Sequence, residues 1–468
     1  MKFNNDIVRE GRYTVRTALN EQISVHNELH VALEVAEQES LLRDGETVYI
    51  DPPAYRVTTS LTGSTNPEPI PVSSSSSATV PPEPTPPPTD GKWLVRSPNS
   101  NAVYVSKNAS TSEIQSSLDS GKDVLFSKDA THNISQPLVI NTDGQVVGVY
   151  GTGNRPTFIA TDCTGIRVNA SNVQIYGIYI SGVRDGNDDE RGIDIRGVRS
   201  NVLIENCMIE NFKDTIAAVS DKTSSPSDTL MIHGCILKNA FSAFTHATNF
   251  FTNRWDNWTI KNTALCYVNM KRPDDQSHNI YADVDSGETI THGTLDNVYT
   301  AYGSSHGFQM RGKGVVSNII SEHNAIVGSI FNTSSAKNVI GMFAKDLPDN
   351  DPLGIGLEVP NSTSISNIVM AHRLASGRKV AVQMHSSTVP ENVSILGPWT
   401  TNSYGPVRAG NSEYAGSGVF YSESAGDFVD STVKVSDEQR DAWLNRSANI
   451  FPDFSQAINE LYSAYQRK

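Results

Sequence analysis

Four short apolar runs, SNVQIYGIYI, SNVLIENCMI, SDTLMIHGCIL and DNWTIKNTAL, align through Ile175, Ile204, Ile232 and Ile260. Their spacings are 29, 28 and 28 residues (204 − 175, 232 − 204, 260 − 232). Cys207 and Cys235 hold matching places within them. Further members follow near Ile290, Val316, Val339, Ile365 and Val393, in GETITHGTL, GVVSNII, KNVIGMF, SISNIVM and ENVSIL. Such a period in short β-rich runs, punctuated by Gly, Asn, Ser and Asp, is the pattern of a parallel β-solenoid. One coil cannot bury its own apolar face, whereas stacked coils share a continuous core. Leucine-rich repeats have a similar period, but their LxxLxL pattern is absent, and a propeller blade needs a longer repeat.

A second strand recurs in each coil. The segments GIRVN, GIDIR, TIAAV, AFTHA, NIYAD, GFQMR, SIFNT and GIGLE place Ile166, Ile193, Ile216, Phe244, Ile280, Phe308, Ile330 and Ile355 at one position. Side chains alternate along a strand, so these apolar residues face inward. The alternate residues then face out: Arg167, Asp194, Arg196, Thr245, Tyr281, Asp283, Gln309, Arg311, Phe331 and Glu358. Two stretches, SHNIYADVDSG and SHGFQMRGKG, are successive versions of one phrase: His278 and His306, like Asp283 and Arg311, are 28 positions apart (306 − 278, 311 − 283). Strands in a sheet lie about 4.8 Å apart. The register therefore predicts Asp283 beside Arg311 and Tyr281 beside Gln309 on an exposed face.

Around this body, residues 64–91 are dense in Pro and Ser, which makes a semi-rigid tether. They set off a small module, residues 1–63, suited to attaching the larger body to something else. Within it, VRTALNEQISVHNELHVALEVAEQESLL reads as helix by composition and as strand by the alternation at Val31, Leu33 and Val35. Residues 92–430 are expected to form the solenoid. Its entry begins with a short helix: Ser110 and Glu113 make a capping box, Ile114 and Leu118 an apolar face, and Gly121 a stop. Residues 431–468 read as helical, with Ser436 as a cap, Pro452 as an interruption and Trp443, Leu444, Ile458, Leu461 and Tyr465 as an apolar face. The fold expected is all-β, a parallel β-helix with a small N-terminal module and a helical C-terminal segment.

The chain of 468 residues carries 37 basic and 51 acidic side chains, a net charge of -14, which argues against a nucleic-acid partner. A local basic groove can still sit on an acidic body. No apolar run is long enough to span a bilayer, so no membrane insertion is expected. The opening MKFNNDIVREGRYTVR lacks an apolar core, so no ordinary secretory signal is expected. Cys163, Cys207, Cys235 and Cys266 are too sparse for a disulfide framework or a zinc site and suit apolar packing. No phosphate-binding loop, dinucleotide motif or zinc-protease helix occurs, so no cofactor and no metal is implied.

Residues 110–400 resemble the pectate-lyase-like superfamily of right-handed parallel β-helices, and the entry at 110–153 is similar to the opening of the β-helix in many phage tailspikes. That superfamily holds lyases, hydrolases, epimerases and non-catalytic binders. With a tethered N-terminal module, the resemblance implies a phage-type tailspike that binds and depolymerises a host capsule or lipopolysaccharide. It further implies a homotrimer, located on the virion and joined to a tail or virion component through residues 1–63. A non-catalytic decoration or adhesion protein and a bacterial polysaccharide lyase or epimerase are the alternatives.

The first candidate site is Tyr281, Asp283 and Arg311 with His278 and His306, flanked by Gln309, Lys313, Asp194 and Phe331 for substrate binding. A polysaccharide lyase needs a base near the sugar C5 proton and a cation for the resulting enolate. Arg311 or Lys313 suits the cation, and Tyr281 or a histidine suits the proton. A hydrolase would instead use two carboxylates about 5–9.5 Å apart. A structural reading has Asp283–Arg311 as a cross-strand ion pair and both histidines, which share the inward parity, at turns. The second candidate is the acidic loop SGVRDGNDDERGIDI, whose Asp185, Asp188, Asp189, Glu190 and Asp194 supply carboxylates for acid/base work or calcium, or form a solvated surface loop. With the residues after it, it resembles the polygalacturonase-type hydrolases, but Asp189-Glu190-Arg191 and Asp214-Thr215 replace their NTD and DD motifs and no GHG follows. Asp194 is also about 14 Å, three strands, from Asp283. The third is the aromatic stretch WDNW, residues 255–258, with Phe331 as sugar-stacking faces or core.

Overall fold

A computed structural model describes residues 13–17, 22–26, 48–51, 95–183, 190–220, 226–242, 247–269, 277–283, 292–324, 326–343, 355–361, 364–371, 380–396 and 407–422. The chain divides into two units, residues 1–78 and 79–468, and the division falls within the Pro/Ser-rich stretch. The whole of the expected tether, 64–91, and the whole C-terminal segment 431–468 lie outside the described residues, as do Phe244, Thr245 and the alternating Val31, Leu33 and Val35.

In the smaller unit, β1 (Tyr13–Thr17) pairs antiparallel with both β2 (Gln22–His26) and β3 (Val48–Asp51). The open choice between helix and strand resolves to strand over β1 and β2. Both are rich in β-branched residues (Thr14, Val15, Thr17, Ile23, Val25), which suit a pleated surface better than a helix.

The larger unit is a right-handed parallel β-helix entered through α1 (Thr111–Asp119). The capping box forms as the sequence predicts: Glu113 N–H donates to Ser110 Oγ (3.3 Å) and Ser110 N–H to the Glu113 carboxylate (2.7 Å). Ile114 and Leu118 are buried, and Gly121 closes the helix at φ 73°. Each coil then contributes strands to three stacked parallel sheets. In one sheet Val147, Ile175, Ile204, Ile232, Ile260, Leu295, Val316, Ala336 and Ile365 form a continuous inward column. In the sheet that bears the candidate site, the column is Leu138, Ile166, Ile193, Ile216, Phe250, Ile280, Phe308, Gly328, Leu357, Val382 and Val407. Every side chain in both columns is buried.

Six positions in the expected register shift. Phe250, not Phe244, faces Ile216, because that coil carries extra residues between the two strands. Gly328 faces Phe308, so Ile330 lies two residues further on, opposite Met310. Leu357 takes the place assigned to Ile355, and Leu295 that assigned to Ile290, which lies outside the described residues. Val339 and Val393 belong to a neighbouring column with Ile319 and Ile368. The Ile330 and Ile355 shifts are even, so the inward and outward parity of those strands survives. The four cysteines are free and buried, as expected of packing groups.

The corner after the Ile175–Ile365 column is held by asparagines. Asn262, Asn297, Asn318, Asn338, Asn367 and Asn392 all take left-handed φ between 50° and 56°. Asparagine tolerates that region better than other side chains with a Cβ. Their amides bond from coil to coil: Asn338 Nδ2 donates to Asn318 Oδ1 (2.8 Å), and Asn367 Nδ2 to Asn338 Oδ1 (3.0 Å). Asn338→Ala should therefore cost about 2–3 kcal/mol, the sum of two lost bonds and the loss of asparagine's tolerance of the left-handed region. Asn338→Gly should cost less, because it relieves the backbone term; urea unfolding of both variants checks the order. Among the described residues, no helix is long and apolar enough to cross a membrane.

Candidate functional site

The outward positions of the second sheet form a line running Arg167, Asp194, Ala217, Phe251, Tyr281, Gln309, Ser329 and Glu358. Two residues along the strands, Arg196, Val219, Asn253 and Asp283 form a parallel line. The inward columns clamp both lines, because a one-residue slip would put Ile280 and Phe308 into water.

The structure brings together the centre of the first candidate. Tyr281 lies opposite Gln309, and Asp283 Oδ1 is 3.3 Å from Arg311 Nη1. The Arg311 guanidinium also sits 5.6 Å from the Tyr281 ring centroid, within cation–π range. Its side chain is 49% exposed and that of Asp283 17%, so the pair opens to solvent from the guanidinium side. The opposite face of the cluster is aromatic: Phe251 stacks on Tyr281 at 5.7 Å, and the His278 ring lies 4.9 Å away from it. Phe251 escapes the sequence reading because the displaced register put AFTHA where TNFFTN belongs; the adjacent pair Phe250-Phe251 is the signal, one ring for each face.

His278 and His306 sit at the strand starts, the place their parity allowed. Their rings are 4.9 Å apart, and the His306 backbone N–H points to His278 Nδ1 at 3.4 Å. Ser305 Oγ lies 2.8 Å from His306 Nδ1. Desolvation pushes the His306 imidazole down to about 3. At neutral pH it is an uncharged ring of low basicity, poorly matched to general-base work. The unfolded chain takes up this proton near pH 6.5 and the folded chain only near 3, so stability is whole above about 6.5 and falls as the pH drops through that window. The slope should be at most about 1.4 kcal/mol per pH unit. Urea midpoints at several pH values should show it, and His306→Gln should flatten it.

Two other predicted members, Lys313 and Asp194, lie elsewhere. Lys313 is past the corner, opposite His292 in the next sheet, and so does not flank Gln309. Phe331 falls between Ile330, opposite Met310, and Asn332, opposite Lys313. Asp194 is on the outward line but three strands from Tyr281, and it is fully buried rather than open to a ligand. Arginines cover it: Arg196 Nε at 2.7 Å, Arg167 Nε at 3.4 Å and Arg191 Nη1 at 3.5 Å. Burial outweighs these charges and raises the Asp194 carboxyl above the ordinary range. Arg191 also holds Asp214 at 3.2 Å, and Thr248 donates its hydroxyl to the same carboxylate.

Of the acidic loop, Asp185, Asp188 and Asp189 lie outside the described residues, and Glu190 is buried. Among the described residues, no group of three or more His, Cys, Asp or Glu is arranged to hold a metal. Trp255 and Trp258 are core residues, only 0% and 2% exposed, and present no face to a sugar. Trp258 fills the space above Gly293, where a Cβ would come within 2.1 Å of the indole.

No protein-family model matches the chain, and no curated protein matches it. Several solved structures do. Pectate lyase Pel9A is 12% identical over 76% of this chain and 89% of its own, with a TM-score of 0.42. The catalytic domain of a GH87 alpha-1,3-glucanase in complex with tetrasaccharides is 14% identical over 70% of each chain, with a TM-score of 0.41. The Dettilon tailspike protein is 13% identical over 69% of this chain and 68% of its own, with a TM-score of 0.38.

Proposed function

We propose that the β-helix binds and cleaves a host surface polysaccharide on the sheet face around Tyr281, Gln309 and Arg311. In this reading the chain is a phage-type tailspike, a homotrimer on the virion whose residues 1–63 engage a tail or virion component. The observation that carries it is the Arg311 guanidinium beside both the Asp283 carboxylate and the Tyr281 ring on an exposed sheet. A flat face with a ring, an amide and a cation offers stacking, hydrogen bonds and charge to an extended glycan.

The arrangement favours elimination over hydrolysis. Arg311 is placed to neutralise a uronate carboxylate, which eases loss of the proton on the adjacent carbon. The Tyr281 hydroxyl is the group on this face suited to taking or returning that proton. Hydrolysis would need a second carboxylate within about 5–9.5 Å of Asp283. Among the described outward residues, Glu358 and Asp194 are each three strands from the Tyr281–Asp283 strand, about 14 Å.

The same ion pair favours a second reading, a glycan-binding decoration or adhesion protein in which Asp283–Arg311 only joins two coils. A panel of acidic and neutral capsular and lipopolysaccharide glycans separates the two. New reducing ends with unsaturated-uronate absorbance support the lyase. Binding without any cleavage supports the decoration protein, and absence of both binding and cleavage removes the glycan assignment.

A further inference from the structure

The arginine cluster three strands before Tyr281 is left unused by this chemistry. Asp194 is completely removed from water, an expensive state for a carboxylate unless its surroundings are built to hold it. Arg196 Nε donates to it at 2.7 Å and Arg191 Nη1 at 3.5 Å, while Arg167 Nε lies 3.4 Å from its other oxygen as an ion pair without a hydrogen bond. Arg191 is itself mostly covered and turns back to Asp214, but Arg167 and Arg196 remain 41% and 46% exposed. With both Nε atoms turned toward Asp194, the hydrogen bonds and ion pairs of Arg167 and Arg196 among the described residues run through Nε and none through their terminal nitrogens. Three guanidiniums against the two carboxylates of Asp194 and Asp214 leave one positive charge, on a chain whose net charge is -14.

A solvated pair of surface arginines would need no buried anchor. Here a buried carboxylate fixes two guanidinium forks side by side on the sheet that carries Tyr281, the preorganisation that oxyanion recognition requires. We propose that Arg167 and Arg196, positioned by Asp194, form an anion subsite that takes a carboxylate of an acidic polysaccharide a few sugar units from the Tyr281–Arg311 centre. The proposal rests on the glycan reading above and adds to it the charge of the glycan and a second point of attachment. Asp194 then acts on the ligand only through the arginines.

The test runs each glycan of the panel as a pair, the native acidic polymer and its carboxyl-reduced neutral form, against the whole chain at low and moderate salt. The expected result is binding of an acidic member that weakens with salt and on carboxyl reduction. Arg167→Gln with Arg196→Gln should weaken it about tenfold or more. Because those changes strip partners from a buried carboxylate, a second variant adds Asp194→Asn, which removes the stranded charge and should unfold at the same urea concentration as the native chain. Equal binding by a folded variant and the native chain would overturn the subsite and leave the glycan reading intact; preference for the neutral forms would overturn the subsite together with the uronate role of Arg311. Binding of no glycan at all would overturn both.

Discussion

Arg311→Ala is expected to lower cleavage of the cognate glycan by about 10²–10³-fold, the usual loss when one preorganised charge-stabilising group is removed. The same change should move folding stability by at most about 1 kcal/mol, since Asp283–Arg311 is a solvent-open pair with the guanidinium half exposed. The contrast between the two numbers separates the readings of this pair. A coil-joining ion pair would give a small stability loss and no effect on turnover. A cation that neutralises a uronate gives the large kinetic loss with stability hardly touched. Tyr281→Phe should show a similar split, because the ring that stacks on Phe251 and lies against Arg311 is kept while the hydroxyl is lost. Initial rates and urea midpoints measured on the same preparations check both variants.

Phe308→Ala should cost about 3–5 kcal/mol, the largest stability effect of any single change considered for this sheet. Phe308 is completely buried between Ile280 and Gly328 in the inward column. Gly328 leaves its space to that ring: a Cβ there would come within 2.1 Å of the Phe308 side chain. A large residue thus faces none, and the volumes match only as a pair. Gly328→Ala alone should destabilise by overpacking, about 1–3 kcal/mol. Combined with Phe308→Ala it should cost less than the sum of the two, because each relieves the fault of the other. Denaturant unfolding of the double-mutant cycle checks this coupling. Since Gln309 is the next residue, Phe308→Ala should also blunt glycan binding.

The repeat was legible because inward isoleucines recur at nearly constant spacing from Ile175 to Ile260, and stacking converts that spacing directly into register. Tyr281 beside Gln309 and Asp283 beside Arg311 followed from the same arithmetic. It failed where coils change length. Between Ile216 and Phe250 the chain takes 34 residues (250 − 216), so a 28-residue count landed on Phe244 and concealed Phe251. From Leu295 to Val316 it takes only 21 (316 − 295), which scattered the later members between two columns. Parity was robust to such errors but exposure was not: Asp194 points outward as expected, yet three arginines from neighbouring positions cover it. The asparagine corner was also present in KNT, DNV, SNI, KNV, SNI and ENV, each with Asn at a left-handed position, and was visible only once φ was known. The strained aromatic corner at Tyr267, Tyr302 and His323, with rings stacked at 5.1 and 4.8 Å, has no comparable sequence signal, since bulky side chains rarely take positive φ.

The most direct test of the sheet face as the site of action is a crystal structure of the chain with an oligosaccharide of the glycan it binds, using Tyr281→Phe to slow turnover. The account predicts an oligosaccharide lying across the strands, a sugar against Tyr281 and Gln309 and a carboxylate on Arg311. An oligosaccharide bound on either of the other two sheets, or at a boundary between subunits with Arg311 untouched, would contradict it.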